Sequence, residues 1–136
     1  EGIKKLARLR LSPVAPMQYA VEAALNGPQD HLKRLVQKLQ KRRDITYKRL
    51  NEIEGLSCVK PKGAFYAYPK IHIDIKSDKD FVLQLLKETG VLVVYGEGFG
   101  QRPGEHHFRI VFLPPEETLN EAFDKIEEFI KKHYGK

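Results

Sequence analysis

One arginine lies inside an otherwise apolar run that is typical of a buried strand. Arg109 stands between Phe108 and Ile110 in the segment FRIVFL of residues 108–113. Burying a guanidinium costs free energy unless the group is paired or meets an anionic ligand, and its planar fork suits bidentate binding of a carboxylate. Arg109 is therefore a candidate carboxylate-binding residue. From these residues alone, a structural salt bridge or an edge strand that points the side chain into water remains the alternative.

The glycine-rich run GEGFG at residues 96–100 is a second candidate. A dinucleotide phosphate loop needs Gly-x-Gly-x-x-Gly between a strand and a helix, so that the helix N-terminus meets the phosphate. Position 101 is Gln, and the next predicted element is a strand. We therefore interpret the run as a loop between strands rather than as a nucleotide site.

Residue types that bind metals or act as nucleophiles lack suitable neighbours. His106 and His107 are adjacent, so on a strand they point to opposite faces and cannot hold one ion side by side. No cysteine or carboxylate stands at zinc-like spacing. Cys58 is the single cysteine and has no histidine near it in the sequence, which favours an inert thiol. We expect no metal site and no cysteine nucleophile.

Hydrophobic periodicity predicts the elements that position these residues. Apolar positions at helical spacing predict helices over residues 3–11, 17–25, 31–53, 78–89 and 116–133. Asp30 is expected to be an N-cap, and Ser77 with Asp80 resembles a capping box. Short strands are predicted over residues 57–60, 64–68, 91–95 and 108–113, and residues 71–75 are expected to be a half-buried strand or an extended connection. The run VLVVY at 91–95 is the strongest signal for a buried strand. This order predicts a two-layer α+β domain, in which helices pack on one face of a small mixed sheet.

The bulk composition is that of an ordinary globular protein. The chain has 136 residues, of which 41% are hydrophobic and 31% charged, and no apolar run approaches the roughly 20 residues of a membrane span. The single cysteine fits a reducing compartment, so we expect a cytoplasmic protein. The net charge of +6 permits contact with nucleic acid through the basic face of the 31–53 helix, but the aromatic residues are mostly at strand or core positions rather than interleaved with that face, and we expect no such partner. Residue 1 is Glu, not Met, which suggests a part of a longer protein.

Several short motifs follow one another along the chain. They are Ser12-Pro13 with Gln18-Tyr19-Ala20 and Ala23-Ala24-Leu25, then Arg42-Arg43-Asp44, Pro61-Lys62-Gly63-Ala64-Phe65-Tyr66, Gly96-x-Gly98-Phe99-Gly100 and Phe108-Arg109-Ile110. In this order and at these distances they resemble the C-terminal half of fold-type I aminotransferases, particularly the class I/II branch that includes alanine and aspartate aminotransferases. The resemblance covers essentially the whole chain.

The resemblance implies a function and a set of site residues. It implies an enzyme that moves an amino group between an amino acid and a 2-oxo acid with pyridoxal phosphate, and that is a homodimer when full length. Arg109 matches the arginine that binds the substrate α-carboxylate, and Gly63 and Phe65 match the strand beside it. The family's Schiff-base lysine lies in a Ser-Lys segment followed by Gly-x-Arg-x-Gly-Tyr, which this sequence does not contain. No catalytic or cofactor-binding residue is therefore assigned to this chain.

The same resemblance predicts how the chain is organised. Residues 1–28 are expected to be a helical segment that leads from a missing N-terminal large domain, and residues 29–136 to be the C-terminal small domain. We expect the chain alone to bind no cofactor and to be inactive. The alternative is a stand-alone regulatory module that uses Arg109 to bind a carboxylate without catalysis.

Overall fold

The computed structural model describes residues 1–8 and 14–135. They divide into two compact units, residues 1–36 and residues 37–136, and a long helix runs across the division. The predicted boundary between residues 28 and 29 stays a prediction. In the described part of the chain, no helix is long and apolar enough to cross a membrane.

The first unit consists of helices. Helix α1 spans Gly2–Arg8, α2 spans Ala15–Asn26, and α3 begins at Asp30 and continues to Glu52 in the second unit. The predicted helix over 3–11 is confirmed as far as Arg8, and the predicted break at Ser12-Pro13 lies outside the described residues. Apolar side chains of this unit are exposed, and they include Ile3, Leu6, Met17, Tyr19, Val21, Leu25, Leu32 and Leu35.

The start of α3 differs from the prediction by one residue. Asp30 is the first helical residue, not the N-cap, and its carboxylate lies 3.8 Å from the ammonium of Lys33. Gln29 precedes the helix, and its side-chain amide donates to the carbonyls of Ala24 and Gly27 at 2.8 and 2.9 Å. The carboxylate of Asp30 therefore interacts with the helix dipole from within the first turn.

The second unit is built around one long strand. Strands β1 (Leu56–Ser57), β2 (Tyr66–Ala67), β3 (Lys70–Ile71) and β4 (Val94–Tyr95) are two residues each, whereas β5 spans His106–Val111. Strands β2 and β3 pair with one edge of β5, β4 pairs with it too, and β1 pairs with β3. The α+β class is confirmed. The four pairings are all antiparallel rather than mixed.

Strands β2 and β3 act as one interrupted strand. Tyr66 lies opposite Val111 and Lys70 lies opposite His107, which is a single antiparallel register along β5. The register continues across the interruption, because the Phe108 N–H donates to the Pro69 carbonyl at 3.2 Å. Proline has no N–H to give to a ladder, but its carbonyl still accepts.

Two helices cover one face of this sheet together with the end of α3. Helix α4 spans Asp78–Thr89. Ser77 is its N-cap, and the Ser77 Oγ accepts from the Asp80 N–H at 3.0 Å. Gly90 is its C-cap, in the left-handed conformation with φ 74°. The Ser77 half of the predicted capping box is thus confirmed. Helix α5 spans Glu116–Tyr134. The core between helices and sheet contains Leu50, Ile53, Phe81, Leu85, Phe108, Ile110, Phe112, Phe123 and Ile126, all at most 6% exposed.

The VLVVY run is not the buried strand that its apolar composition predicted. Only Val94 and Tyr95 are in strand β4, and both are partly exposed, while Leu92 is 74% exposed. Val93 alone of these is buried, at 3%. The run lies along an edge of β5, so alternate side chains point away from the core.

Candidate functional site

The face of the sheet opposite the core carries the candidate site. Strand β5 alternates, so Phe108 and Ile110 are buried while Arg109 is half-buried on the other face. The pairing partners of this outer face are Tyr66 opposite Val111 and Val94 opposite Arg109. Arg109 therefore lies on the sheet face opposite the buried side chains of β5.

Two aromatic rings contact the Arg109 guanidinium. Its central carbon lies over the Phe99 ring at 4.2 Å from the centroid and over the Tyr66 ring at 4.6 Å. These distances are within the range of cation–π interaction. Tyr66 is in β2, on one side of β5, and Phe99 follows β4 on the other. The two rings thus reach the guanidinium from opposite edges of its strand.

Arg109 makes no salt bridge and no side-chain hydrogen bond with any other residue in the described ranges 1–8 and 14–135. Two other half-buried arginines of this unit bind carboxylates, Arg49 to Asp124 and Arg43 to Asp44, each at 2.7 Å. A third, Arg42, donates to the Leu113 carbonyl. The hydrogen-bond donors of Arg109 are therefore available to an anion, and its planar fork matches a carboxylate. A structural salt bridge, which was the alternative interpretation, is not formed within these residues.

A tight turn holds Phe99 in place. The glycine-rich run forms a 3₁₀ turn over Gly96–Phe99, which ends at Gly100 with φ 76°. Asp78 is 3% exposed, and its carboxylate accepts from the Glu97 N–H at 2.8 Å. The hydroxyl of Tyr68 donates to the Gly96 carbonyl at 2.9 Å. The predicted loop between strands is thus a fixed turn that is tied to α4 and to the outer face.

His107 and Lys70 lie on the same face, one residue pair away from Arg109. The ring of His107 stacks on Tyr68 with centroids 4.7 Å apart, and burial lowers the pKa of His107, so the neutral ring is favoured. Lys70 binds Glu105 at 2.8 Å, and the hydrogen bond from Lys70 lowers the pKa of the Glu105 carboxyl. The positive charge of Lys70 is therefore already paired, whereas that of Arg109 is not.

Comparison of the chain with known proteins shows the family to which it belongs. Residues 1–126 match the family model described as aminotransferase class I and II. The chain belongs to this family. It is 42% identical to an alanine aminotransferase of Mycobacterium tuberculosis, over 96% of this chain and 31% of that protein. It is 39% identical to the glutamate-pyruvate aminotransferase AlaA of Haemophilus influenzae, over 98% of this chain and 34% of that protein.

Solved structures of aminotransferases share the fold. The structure of an alanine aminotransferase from Pyrococcus furiosus superposes with a TM-score of 0.87 at 54% identity, and the match covers 96% of this chain and 33% of that one. This chain thus spans about a third of the length of the aminotransferases that it matches. The predicted fold-type I aminotransferase resemblance is confirmed.

The other two predicted site residues are Gly63 and Phe65, and neither is among the residues whose rings lie over the guanidinium. Gly63 is exposed, and a methyl group built on it would meet nothing within 4 Å. Phe65 is half-buried, packs against the core, and touches Tyr66 with ring centroids 4.5 Å apart. The substrate-binding roles of Gly63 and Phe65 stay predictions. Tyr66 and Phe99, which contact Arg109, were not predicted as site residues.

The described residues do not fit pyridoxal phosphate as a binding site of their own. Holding that cofactor requires a lysine for the Schiff base and free N–H groups for the phosphate. Lys70 on the outer face is bound to Glu105. At Gly96, the position of an added methyl group is already within 2.7 Å of three oxygen atoms, so a phosphate does not fit beside this residue. We assign no cofactor-holding residue to this chain.

The remaining candidates show no arrangement for other chemistry. Cys58 is buried, its thiol donates to the Val59 carbonyl at 3.3 Å, and burial raises the pKa of the thiol, which disfavours the nucleophilic thiolate. Over residues 1–8 and 14–135, no three His, Cys, Asp or Glu side chains converge as a metal site would require. Arg109 therefore remains the focus of the candidate site.

Proposed function

We propose that this chain is the C-terminal portion of a pyridoxal-phosphate-dependent aminotransferase and that Arg109 binds the α-carboxylate of its substrate. The family membership supports the reaction class, the transfer of an amino group between an amino acid and a 2-oxo acid. The observation that supports the role of Arg109 is its half-buried guanidinium, which contacts two aromatic rings and, among the residues that the structure describes, no carboxylate.

The contribution of Arg109 is binding and orientation. Two parallel N–H···O bonds from one guanidinium fix the plane of a carboxylate and therefore the direction of the bond from the carboxyl carbon to the α-carbon. Holding the substrate in a single orientation removes part of the entropy that the reaction would otherwise lose. The cofactor, held by residues outside this chain, supplies the electron sink for the α-carbon. The residues of this chain decide where the α-carbon lies.

The relatives suggest the first substrates to test. The similar proteins are named for alanine and for glutamate and pyruvate. We propose the amino acids alanine and glutamate and the 2-oxo acid pyruvate as the first substrates to test on the protein that contains this chain. A homodimer and a cytoplasmic location, which the resemblance and the composition predicted, stay predictions. The predicted large domain would supply the Schiff-base lysine, and we expect the isolated 136-residue chain to be inactive.

The test is the variant Arg109→Lys in the full-length, cofactor-loaded protein. Lysine keeps the positive charge but loses the fork, so we expect the loss of one charge-assisted hydrogen bond, about 1.5–3 kcal/mol. This corresponds to a roughly 10- to 150-fold lower kcat/KM for alanine, and to weaker inhibition by propionate, which has a carboxylate but no amino group. The visible absorbance of the bound cofactor should not change.

The matched control is Arg34→Lys, because Arg34 is an exposed arginine in α3. Its kinetics should equal those of the unaltered protein. If Arg109→Lys left both the kcat/KM for alanine and the inhibition constant of propionate unchanged, the carboxylate-binding role would be wrong. Transamination by the purified 136-residue chain alone would show instead that the predicted dependence on the missing part is wrong.

A further inference from the structure

The two rings around Arg109 have a geometric consequence for its hydrogen-bond donors. A guanidinium is planar, and its five N–H groups lie in that plane. Aromatic rings contact a guanidinium by stacking on its face. Contacts at 4.2 Å to Phe99 and 4.6 Å to Tyr66 therefore restrict rotation of the guanidinium, while its N–H groups make no hydrogen bond to another side chain in residues 1–8 and 14–135.

The two rings are not held equally. Tyr66 is part of β2, whose register against β5 is fixed by the pairing of Tyr66 with Val111 and of Ala67 with Ile110. Phe99 lies in a turn, so its position depends on what holds that turn. The ring of Phe99 is 45% exposed, and thus the core does not fix it.

The turn is held from both of its sides. The buried carboxylate of Asp78, at the start of α4, accepts from the Glu97 N–H at 2.8 Å. On the outer face, Tyr68 donates to the Gly96 carbonyl at 2.9 Å, and its ring meets the edge of the Phe99 ring at 6.2 Å between centroids. These contacts form a continuous path from α4 to the guanidinium of Arg109.

We propose that Phe99 is a positioning residue for the substrate carboxylate, because its ring fixes the plane in which the Arg109 guanidinium presents its donors. This inference rests on the proposed function. Phe99 itself does not need to touch the carboxylate. Without the Phe99 ring, the Arg109 side chain samples further rotamers. Binding a carboxylate must then restrict Arg109 to one of them, and this restriction costs free energy.

The experiment compares three variants in the full-length, cofactor-loaded protein: Phe99→Leu, Phe99→Tyr and Leu113→Ala. Leucine removes the ring, tyrosine keeps it, and Leu113 is a similarly exposed apolar residue, at 44%, outside the cluster around Arg109. For Phe99→Leu, we expect the KM for alanine and the inhibition constant of propionate to rise together by about three- to tenfold, the range of one cation–π contact. The kcat should stay within about twofold, because the carboxylate once bound is held by the same N–H groups.

The variants Phe99→Tyr and Leu113→Ala should both keep the KM for alanine and the inhibition constant of propionate at the values of the unaltered protein. A role of Phe99 in folding alone would lower the amount of active protein without raising the inhibition constant of propionate. If the leucine variant is poorly folded, Phe99→Met gives the same comparison with a flexible side chain that has no ring.

The outcomes separate this inference from the proposed function. If Arg109→Lys weakens propionate binding but Phe99→Leu and Phe99→Met do not, the positioning role of Phe99 is overturned and the role of Arg109 stands. If the tyrosine variant is as impaired as the leucine variant, the ring is not the cause, and the inference is likewise overturned. If Arg109→Lys leaves the inhibition constant of propionate unchanged, the proposed carboxylate-binding role of Arg109 is wrong. The positioning role of Phe99, which rests on it, is then overturned as well.

Discussion

The variant Gly96→Ala tests whether the turn that carries Phe99 is as tightly packed as its contacts indicate. A methyl group on Gly96 would lie 2.6 Å from the side-chain oxygen of Gln101, and 2.7 Å from both the Tyr68 hydroxyl and the His107 carbonyl. The Gln101 side chain can rotate away. The His107 carbonyl belongs to β5 and cannot move without the strand. We therefore expect the turn to move, at a cost of about 1–3 kcal/mol, which is typical of overpacking.

Displacement of the turn breaks the hydrogen bond from the Glu97 N–H to Asp78, and hydrogen exchange reports this bond directly. Exchange of a protected amide follows the free energy of local opening. A loss of about 1–3 kcal/mol gives roughly 5- to 150-fold faster exchange of the Glu97 amide, measured by mass spectrometry on a peptide that spans the turn. The KM for alanine should rise as well, because Phe99 moves with the turn.

The matched control is Gly98→Ala in the same turn. A methyl group on Gly98 meets nothing within 4 Å, and its φ is not in the left-handed region. We expect unchanged exchange at Glu97 or slightly slower exchange, because alanine reduces the freedom of the unfolded chain. Equal exchange rates in the Gly96 and Gly98 variants would refute the conclusion that the turn is tightly packed.

Two further predictions concern α4 and the outer face. Ser77→Ala removes the acceptor for the Asp80 N–H and should destabilise the start of α4 by about 0.5–2 kcal/mol, seen as faster exchange of the Asp80 amide but not of amides near Gly90. Burial lowers the pKa of His107 in the folded protein. Because the unfolded chain then binds the proton more tightly, the contribution of His107 to stability is lost as pH falls from about 6.5 through that lowered pKa. His107→Gln should therefore flatten the fall in thermal midpoint between pH 7 and 5, and an unchanged slope would contradict this prediction.

The helices were predictable because their signals are local. Ser77 begins α4 and Gly90 ends it, and both residues act on backbone groups within a few positions of themselves. The strands were less predictable because burial of a strand depends on what covers it. The VLVVY run at 91–95 has the composition of a buried strand, yet only Val93 is buried and Val91 partly buried against the core. Nothing in the run itself indicates that Leu92, Val94 and Tyr95 are exposed.

The same difference separates Arg109 from the two rings that contact it. Arg109 was recognisable because a charged residue among apolar ones is anomalous within a single segment. Tyr66 and Phe99 are ordinary aromatic residues in their own segments, and each meets the guanidinium only through pairing with β5. Tyr66 could have been placed on the same sheet face as Arg109 from the alternation of side chains along β2, if the register of β2 against β5 had been known. For Phe99, the conformation of the 3₁₀ turn is also required.

The register of β5 serves the core and the candidate site at once. Phe108 and Ile110 are at most 6% exposed, and Arg109 between them faces outward. A slip by one residue would expose the two apolar side chains and turn the guanidinium toward the cluster of apolar core residues, where burying its charge would cost free energy. The hydrogen bonds from the Phe108 and Phe112 N–H groups to the carbonyls of Pro69 and Phe65 oppose such a slip. Burial of the apolar residues of β5 stabilises the register in which Arg109 points outward between the two rings. The position of the proposed carboxylate-binding group therefore follows from the packing of the core.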